Sequence, residues 1–191
     1  GRLWVGTNNG LARFEDGEFV RYAYSIDDPS GISNNSIQRI FLDSRGVLWM
    51  TTRGGGLMRY EEDEDRFTHY MRKDGLPNNI VYSVLEDRSG DLWIVTQTGI
   101  ALYDRETASI KTVTLYKELD NQNFNAGATI GPEGELYFGS VGLVTRFDPS
   151  RYERNAHVPP VYVTSLVAAN RPKLAAPAAS VPRDGAIRLA H

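Results

Sequence analysis

The stretch GVLWMTTRGGGLMRYEE, from Gly46 to Glu62, decides the fold because of where else it occurs. Close variants stand at Gly1 (GRLWVGTNNGLARFED), Gly90 (GDLWIVTQTGIALYDR) and Gly134 (GELYFGSVGLVTRFDP), with starts separated by 45, 44 and 44 residues. A strand-rich unit of that length is the signature of a β-propeller, in which each repeat is a four-stranded blade that cannot bury its faces alone.

Working outward, each period reads as strands and tight turns. In the second repeat, SIQRIFLD (Ser36 to Asp43) is an inner strand with Ile37, Ile40 and Leu42 as its apolar positions. DSRG supplies a hairpin, VLWMTT the second strand, Gly54 to Gly56 the next turn, LMRYE the third strand and RFTHYM the fourth. The third repeat gives IVYSVLED, DLWIVT, IALYD and SIKTVTL in the same order. The first repeat lacks an inner strand and the fourth ends differently, so the expectation is an all-β partial propeller with two nearly complete blades between two incomplete ones.

Pro159 and Pro160 mark a change of material. Beyond them VYVTSLVAAN reads as a strand, RPKLAAPAASVPRDGA as a Pro- and Ala-rich loop, and IRLAH as the start of another strand. The domains expected are therefore a partial propeller over 1–154 and the beginning of a β-sandwich over 155–191.

Composition removes several function classes. With no cysteine, disulfides, thiolate zinc sites and thiol nucleophiles are excluded. Charge is nearly balanced, 21 Lys and Arg against 24 Asp and Glu, with no basic block to attract nucleic acid. No apolar run approaches the roughly 18 residues needed to cross a membrane.

LWVGTNNGLARFE, LWMTTRGGGLMRYE and LWIVTQTGIALYD resemble the two-component regulator propeller repeat, and DGLPNNIVYSVLEDRSG (Asp74 to Gly90) is similar to that family's connector. Phe124 to Pro149 resembles the last blade of such propellers, and VPPVYVTSLVAANRPK the start of the Y_Y_Y β-sandwich that follows them. Val95 stands where the family usually has glycine, a packing variation, and the sandwich stops before most of its strands. The resemblance implies a periplasmic or otherwise extracytoplasmic sensory region, followed by a transmembrane helix and a histidine kinase or diguanylate cyclase. It also implies a homodimer in the full protein, attached to the membrane only through segments outside this sequence. A carbohydrate or other polar small molecule is the ligand class implied, with no cofactor.

The repeating aromatic positions Trp4, Trp49, Trp93 and Tyr137 suit packing between sheets better than sugar stacking, since each blade has one. DSRG and DRSG suit hairpins better than calcium loops, and the acidic run Glu61 to Asp65 suits a solvated turn better than a metal site. His69, His157 and His191 lack metal spacing and a nucleophile partner, so neither a catalytic nor a metal residue is assigned. His69 is expected at an outer-strand edge.

The loops between second and third strands, and those leading into each inner strand, belong on one face around the channel. They hold Asn8, Asn9, Arg53, Gln97 and Thr98 in the first set, and Asn34, Asn35, Asn78, Asn79, Asn121, Gln122 and Asn125 in the second. Amides and a guanidinium can bind a hydroxyl-rich or carboxylated ligand. Asn and Gly also simply satisfy turns. Arg53 is least explicable as turn chemistry, because the matching loops carry Asn8 and Gln97, and it is the first choice for an anionic group. The reading is a non-catalytic ligand sensor; a polysaccharide lyase or hydrolase and a protein-docking propeller remain the alternatives.

Overall fold

Alternating apolar and polar residues fold each repeat into a separate antiparallel sheet. The computed structural model describes residues 1–113, 124–140 and 142–152, and beyond them four short strands named below. The first blade is the three-stranded sheet β1 (Leu3–Thr7), β2 (Gly10–Glu15) and β3 (Glu18–Tyr22). The second is complete, with β4 (Ile37–Leu42), β5 (Leu48–Thr52), β6 (Leu57–Glu61) and β7 (Arg66–Tyr70) in sequential order.

The third blade repeats that order with β8 (Val81–Glu86), β9 (Leu92–Thr96), β10 (Gly99–Asp104) and β11 (Ser109–Val113). The fourth has β12 (Phe124–Ile130), β13 (Leu136–Ser140) and β14 (Leu143–Phe147). The inner strands β4 and β8 pack against one another, and β12 packs against β8. The β-propeller blades and their order are those the sequence predicts. Val95, in the position where glycine was expected, is fully buried.

One aromatic contact recurs between blades. Trp4 meets Tyr60 of the next blade at 4.8 Å between ring centroids, Trp49 meets Tyr103 at 5.1 Å, and Trp93 meets Phe147 at 4.9 Å. Each joins the second strand of one blade to the third strand of the next. Trp49 and Trp93 are 1% exposed, which identifies them as core and not as a platform for stacking sugars. Around Trp49 gather Leu57, Val81, Val84, Leu92, Ile94, Ala101 and Tyr103, drawn from two blades. Burying such a ring removes roughly 150–250 Å² from water, so the blades adhere mainly through it.

The hairpin aspartate fixes the orientation of that tryptophan. Asp43 Oδ1 accepts the backbone N–H groups of Arg45 and Val47, both at 2.9 Å, and Oδ2 accepts the Trp49 indole N–H at 2.8 Å. Asp87 repeats this with Ser89, Asp91 and Trp93. In the fourth blade both partners change together: Gly131 takes the aspartate position and Tyr137 the tryptophan position, and the tyrosine hydroxyl donates to Glu135 instead. A buried guanidinium extends the second-blade version, since Arg105 lies 3.0 Å from both Asp43 and Glu86. Burial alone would raise the Asp43 pKa, but the Trp49 indole, the Val47 N–H and Arg105 outweigh it and lower it below the usual aspartate value.

The run Glu61 to Asp65, expected as a solvated turn, is exposed from Glu62 to Asp65 and also clamps the first blade to the second. Glu62–Glu64 forms a short 3-10 helix that ends on Asp65 in the left-handed region, φ 48°. That geometry aims the Asp65 carboxylate at the first blade, where it accepts bonds from Arg13 (2.8 Å) and the Tyr22 hydroxyl (2.7 Å) as well as from Tyr60 (2.7 Å). Arg2 pairs with both Glu15 and Glu62, adding a second link. His69 lies half-buried in the outer strand β7, its Nε2 2.7 Å from the Gly31 carbonyl oxygen. His157 and His191 lie outside the described residues.

Residues Tyr152–His191 cluster as a second unit, separate from Gly1–Arg151. Its described strands are β15 (Tyr162–Val163) paired with β18 (Ala179–Ser180), and β16 (Leu166–Ala168) paired with β17 (Arg171–Lys173). The segment expected to be a Pro- and Ala-rich loop therefore contributes two strands. Pro172 is tolerated opposite Val167 because a two-stranded ribbon has only edge strands, where a missing N–H is admissible. The strand expected at 187–191 lies outside the described residues.

Two outcomes follow for stability. Trp49→Ala should cost about 3–5 kcal/mol in urea unfolding, and Trp4→Ala less, because Trp4 is only half-buried. The second concerns acid. A lowered carboxyl pKa adds stability that is complete above the unfolded value of about 3.9 and is lost as pH falls through the folded value. The stability difference between the native protein and Asp43→Asn should therefore shrink steadily below about pH 4 in denaturant titrations, and stay constant from pH 5 to 7.

Candidate functional site

The loop residues singled out from sequence gather at the end of the blades where the inner strands begin. Backbone bonds repeat between neighbouring blades there. Gly10 N–H donates to the Asn35 carbonyl at 2.8 Å, Gly54 and Gly56 donate to the Asn79 carbonyl at 3.1 and 2.8 Å, and Phe124 donates to the Gln97 carbonyl at 3.0 Å. Within each blade, Arg53 N–H donates to Ser36 and Gln97 N–H to Ile80. Each turn between second and third strands is thereby tied to the connector leading into an inner strand.

The paired asparagines divide the work. Asn34 and Asn78 accept the N–H two residues ahead, from Ser36 at 2.8 Å and Ile80 at 2.9 Å, which sets the turn into the inner strand. Asn35 and Asn79 accept from Tyr24 at 2.7 Å and Arg72 at 2.8 Å, holding the chain as it leaves the preceding outer strand. The side-chain oxygens of all four are committed to the scaffold. Asn78 also donates to Thr98 at 3.5 Å.

Asn8, Asn9 and Arg53 are exposed, and Gln97 is half-buried. Arg53 makes no side-chain hydrogen bond or ion pair among the described residues, although its backbone bridges to Ile80. The extra glycine beside it has a packing role: a Cβ on Gly55 would lie 2.5 Å from Ser33 Oγ and 2.7 Å from Asn34 Cβ. Gly56 has φ +78°, and any Cβ there would meet the Tyr70 carbonyl oxygen at 2.1 Å. Asn125 belongs to β12, and Asn121 and Gln122 lie outside the described residues.

Inner-strand residues complete the site, and the sequence reading missed them. β4 carries a bulge between Ile37 and Arg39, and β8 one between Val81 and Ser83. β12 is irregular between Phe124 and Ala128. All three irregularities fall at the same end of the sheet, and bulges re-aim side chains. Gln38, the extra residue in β4, donates to Ser36 Oγ at 3.2 Å, and Ser36 donates to Asn8 at 3.2 Å. Arg39, the next residue, is exposed and reaches from the second blade to Gly127 in β12 of the fourth. The signal was present in the sequence: Ile37 and Ile40 are three apart, which breaks strand alternation.

The two ends of the blades differ in charge. The turns and connectors at 7–10, 33–36, 53–56, 77–80 and 97–99 contain no Asp or Glu. The opposite hairpins carry Asp43, Asp87, Glu133 and Glu135. Between the third and fourth blades at that opposite end is a cavity of about 410 Å³, bordered by Asp87, Arg88, Glu135 and Arg146. Arg88 crosses it to the Pro132 carbonyl at 3.0 Å. No group of three or more His, Asp or Glu among the described residues is placed to hold a metal ion.

Antiparallel blades joined through repeat-related aromatics, with amide-rich turns clustered at one end, define a β-propeller architecture. The family model described as two component regulator propeller matches residues 31–54 and 75–98. It is similar to the extracellular domain of the putative hybrid two component system BT3049 from B. thetaiotaomicron, with 26% identity and a TM-score of 0.70. That likeness covers 95% of this chain and 25% of the other, so the chain spans about a quarter of that structure's length. Virginiamycin B lyase from Staphylococcus aureus shares the fold, with 19% identity, a TM-score of 0.53, and coverage of 79% of this chain and 53% of that one. No curated protein matches the chain by sequence.

The division of labour among the asparagines is measurable. Asn35→Ala and Asn79→Ala should each cost about 1 kcal/mol, the loss of one acceptor for a backbone N–H. Arg53→Ala should leave stability within about 0.5 kcal/mol of the native protein, as for an unpaired surface side chain. Urea melts of the three variants make the comparison.

Proposed function

We propose that this chain is part of a non-catalytic, extracytoplasmic ligand-sensing region of a membrane-bound bacterial signalling protein. The observation that carries the reading is the likeness, over nearly all of this chain, to the extracellular domain of a putative hybrid two component system. Supporting it, the amide-rich turns lie together at one end of the blades and present Asn8, Asn9 and Arg53 to solvent. The ligand class is a carbohydrate or another polar small molecule, met by amide donors and acceptors and by a guanidinium. The C-terminal unit is the start of a Y_Y_Y-like sandwich that relays the bound state toward the membrane. The output is a histidine kinase or diguanylate cyclase in a homodimer. Ligand acts by favouring one of two arrangements already accessible to the protein.

The test is a thermal-shift panel of oligosaccharides and small polar metabolites on the full-length protein in detergent. A ligand present at about 100 times its Kd adds about 2.7 kcal/mol, so a binder should raise the melting temperature by several degrees. It should leave the saccharide chemically unchanged. Silence across the panel would contradict sensing of this class, and new reducing ends or unsaturated products would show an enzyme instead.

A further inference from the structure

We propose that Arg39 and Gly127 form an anion-binding notch at the end of the blades where the inner strands begin, and that the ligand is an acidic oligosaccharide. The inference rests on the sensing reading and narrows its ligand class. Arg39 crosses from β4 to β12, skipping a blade, and a Cβ on Gly127 would lie 2.7 Å from its Nη2. Only a residue without a side chain lets the guanidinium lie against that backbone. Arg39 is exposed and has no hydrogen bond or ion pair among the described residues. The contrast with Arg13, Arg59 and Arg105 is informative, since each of these is spent on a carboxylate within the scaffold.

The surroundings favour an anion. Arg53, also exposed and unpaired among the described residues, lies on the same blade, two residues beyond Thr51, the backbone partner of Arg39. The connectors before β4 and β8 hold three acids, Asp27, Asp28 and Asp74, and the last two are turned to their own backbone. Asp28 accepts from Ser30 and Gly31, and Asp74 accepts from Met71. Gln38, the residue before Arg39, bonds to Ser36 and through it to Asn8, a line of neutral hydrogen-bonding groups that runs from β4 toward the first blade and is suited to hydroxyls. A planar guanidinium takes a carboxylate or sulfate in bidentate fashion, and the neighbouring amides take sugar hydroxyls. A saccharide that carries both groups satisfies both halves of the site.

The experiment measures binding to the full-length protein by calorimetry, with trigalacturonate, a sulfated galactose trisaccharide and neutral galactotriose as probes. Binding of at least one acidic probe, with galactotriose at least tenfold weaker, is expected. Arg39→Ala should weaken the acidic probe tenfold or more. Gly127→Ala, which displaces the guanidinium without removing its charge, should weaken it severalfold. Arg45→Ala, at the opposite end of the same blade, should not change it. The preferred acidic probe tells carboxylate from sulfate. Equal binding of neutral and acidic probes, or acidic binding untouched by Arg39→Ala, would overturn the notch while leaving sensing intact. Failure of every saccharide, with no response in the wider panel, would remove both.

Discussion

The contact on which the structure depends is the ring of Trp4, Trp49 or Trp93 laid against Tyr60, Tyr103 or Phe147 of the following blade. A four-stranded sheet has two faces to bury and no partner of its own, so blades persist only by covering one another. One aromatic pair per interface supplies much of that cover, with about 0.5–1.5 kcal/mol beyond area for each pair. The hairpin aspartate then settles which way the indole points. Packing and hydrogen bonding are thus coupled at one position, and that position recurs with the repeat.

This coupling has a consequence for function. The aromatic and aspartate network occupies the hairpin ends and the sheet interiors, together with the ion group of Arg105, Asp43 and Glu86. The turns at the other end are held by backbone bonds and by Asn35 and Asn79. Asn34, Asn78 and the turn threonines add side-chain bonds, whereas Arg53 has no side-chain bond among the described residues. Arg53 is exposed and can differ from its repeat counterpart, Gln97, without cost to the core, and Arg39 is exposed where its counterpart Ser83 is buried. Arg13, Arg59 and Arg105 pair with carboxylates of the scaffold, whereas Arg53 stands among turns at 7–10, 33–36, 53–56, 77–80 and 97–99 that contain no Asp or Glu.

Much of the fold was legible because a period of 44 to 45 residues repeats its apolar pattern, turn glycines and tryptophans. The roles of individual polar residues were less so. Asp43 reads as hairpin chemistry, and its bond to Trp49 becomes visible only when the six-residue spacing is compared with Asp87 and Trp93. Joint replacement by Gly131 and Tyr137 carries the same message. Asp65 was obscured for a different reason: its partners Arg13 and Tyr22 lie in another blade, more than forty residues away. Arg39 was hidden by a bulge that defeats strict alternation. Arg53 needed no structure, since the repeat itself marks it as irregular.

The proposed site places ligand at the turns of the inner-strand end and not at the hairpins. Hydrogen-deuterium exchange on the full-length protein, with and without a saturating bound saccharide, tests it most directly. Slowed exchange is expected in peptides covering 7–10, 33–40, 53–56, 77–80 and 97–99, with 43–47 and 87–91 unchanged. Protection confined to the hairpins would contradict it.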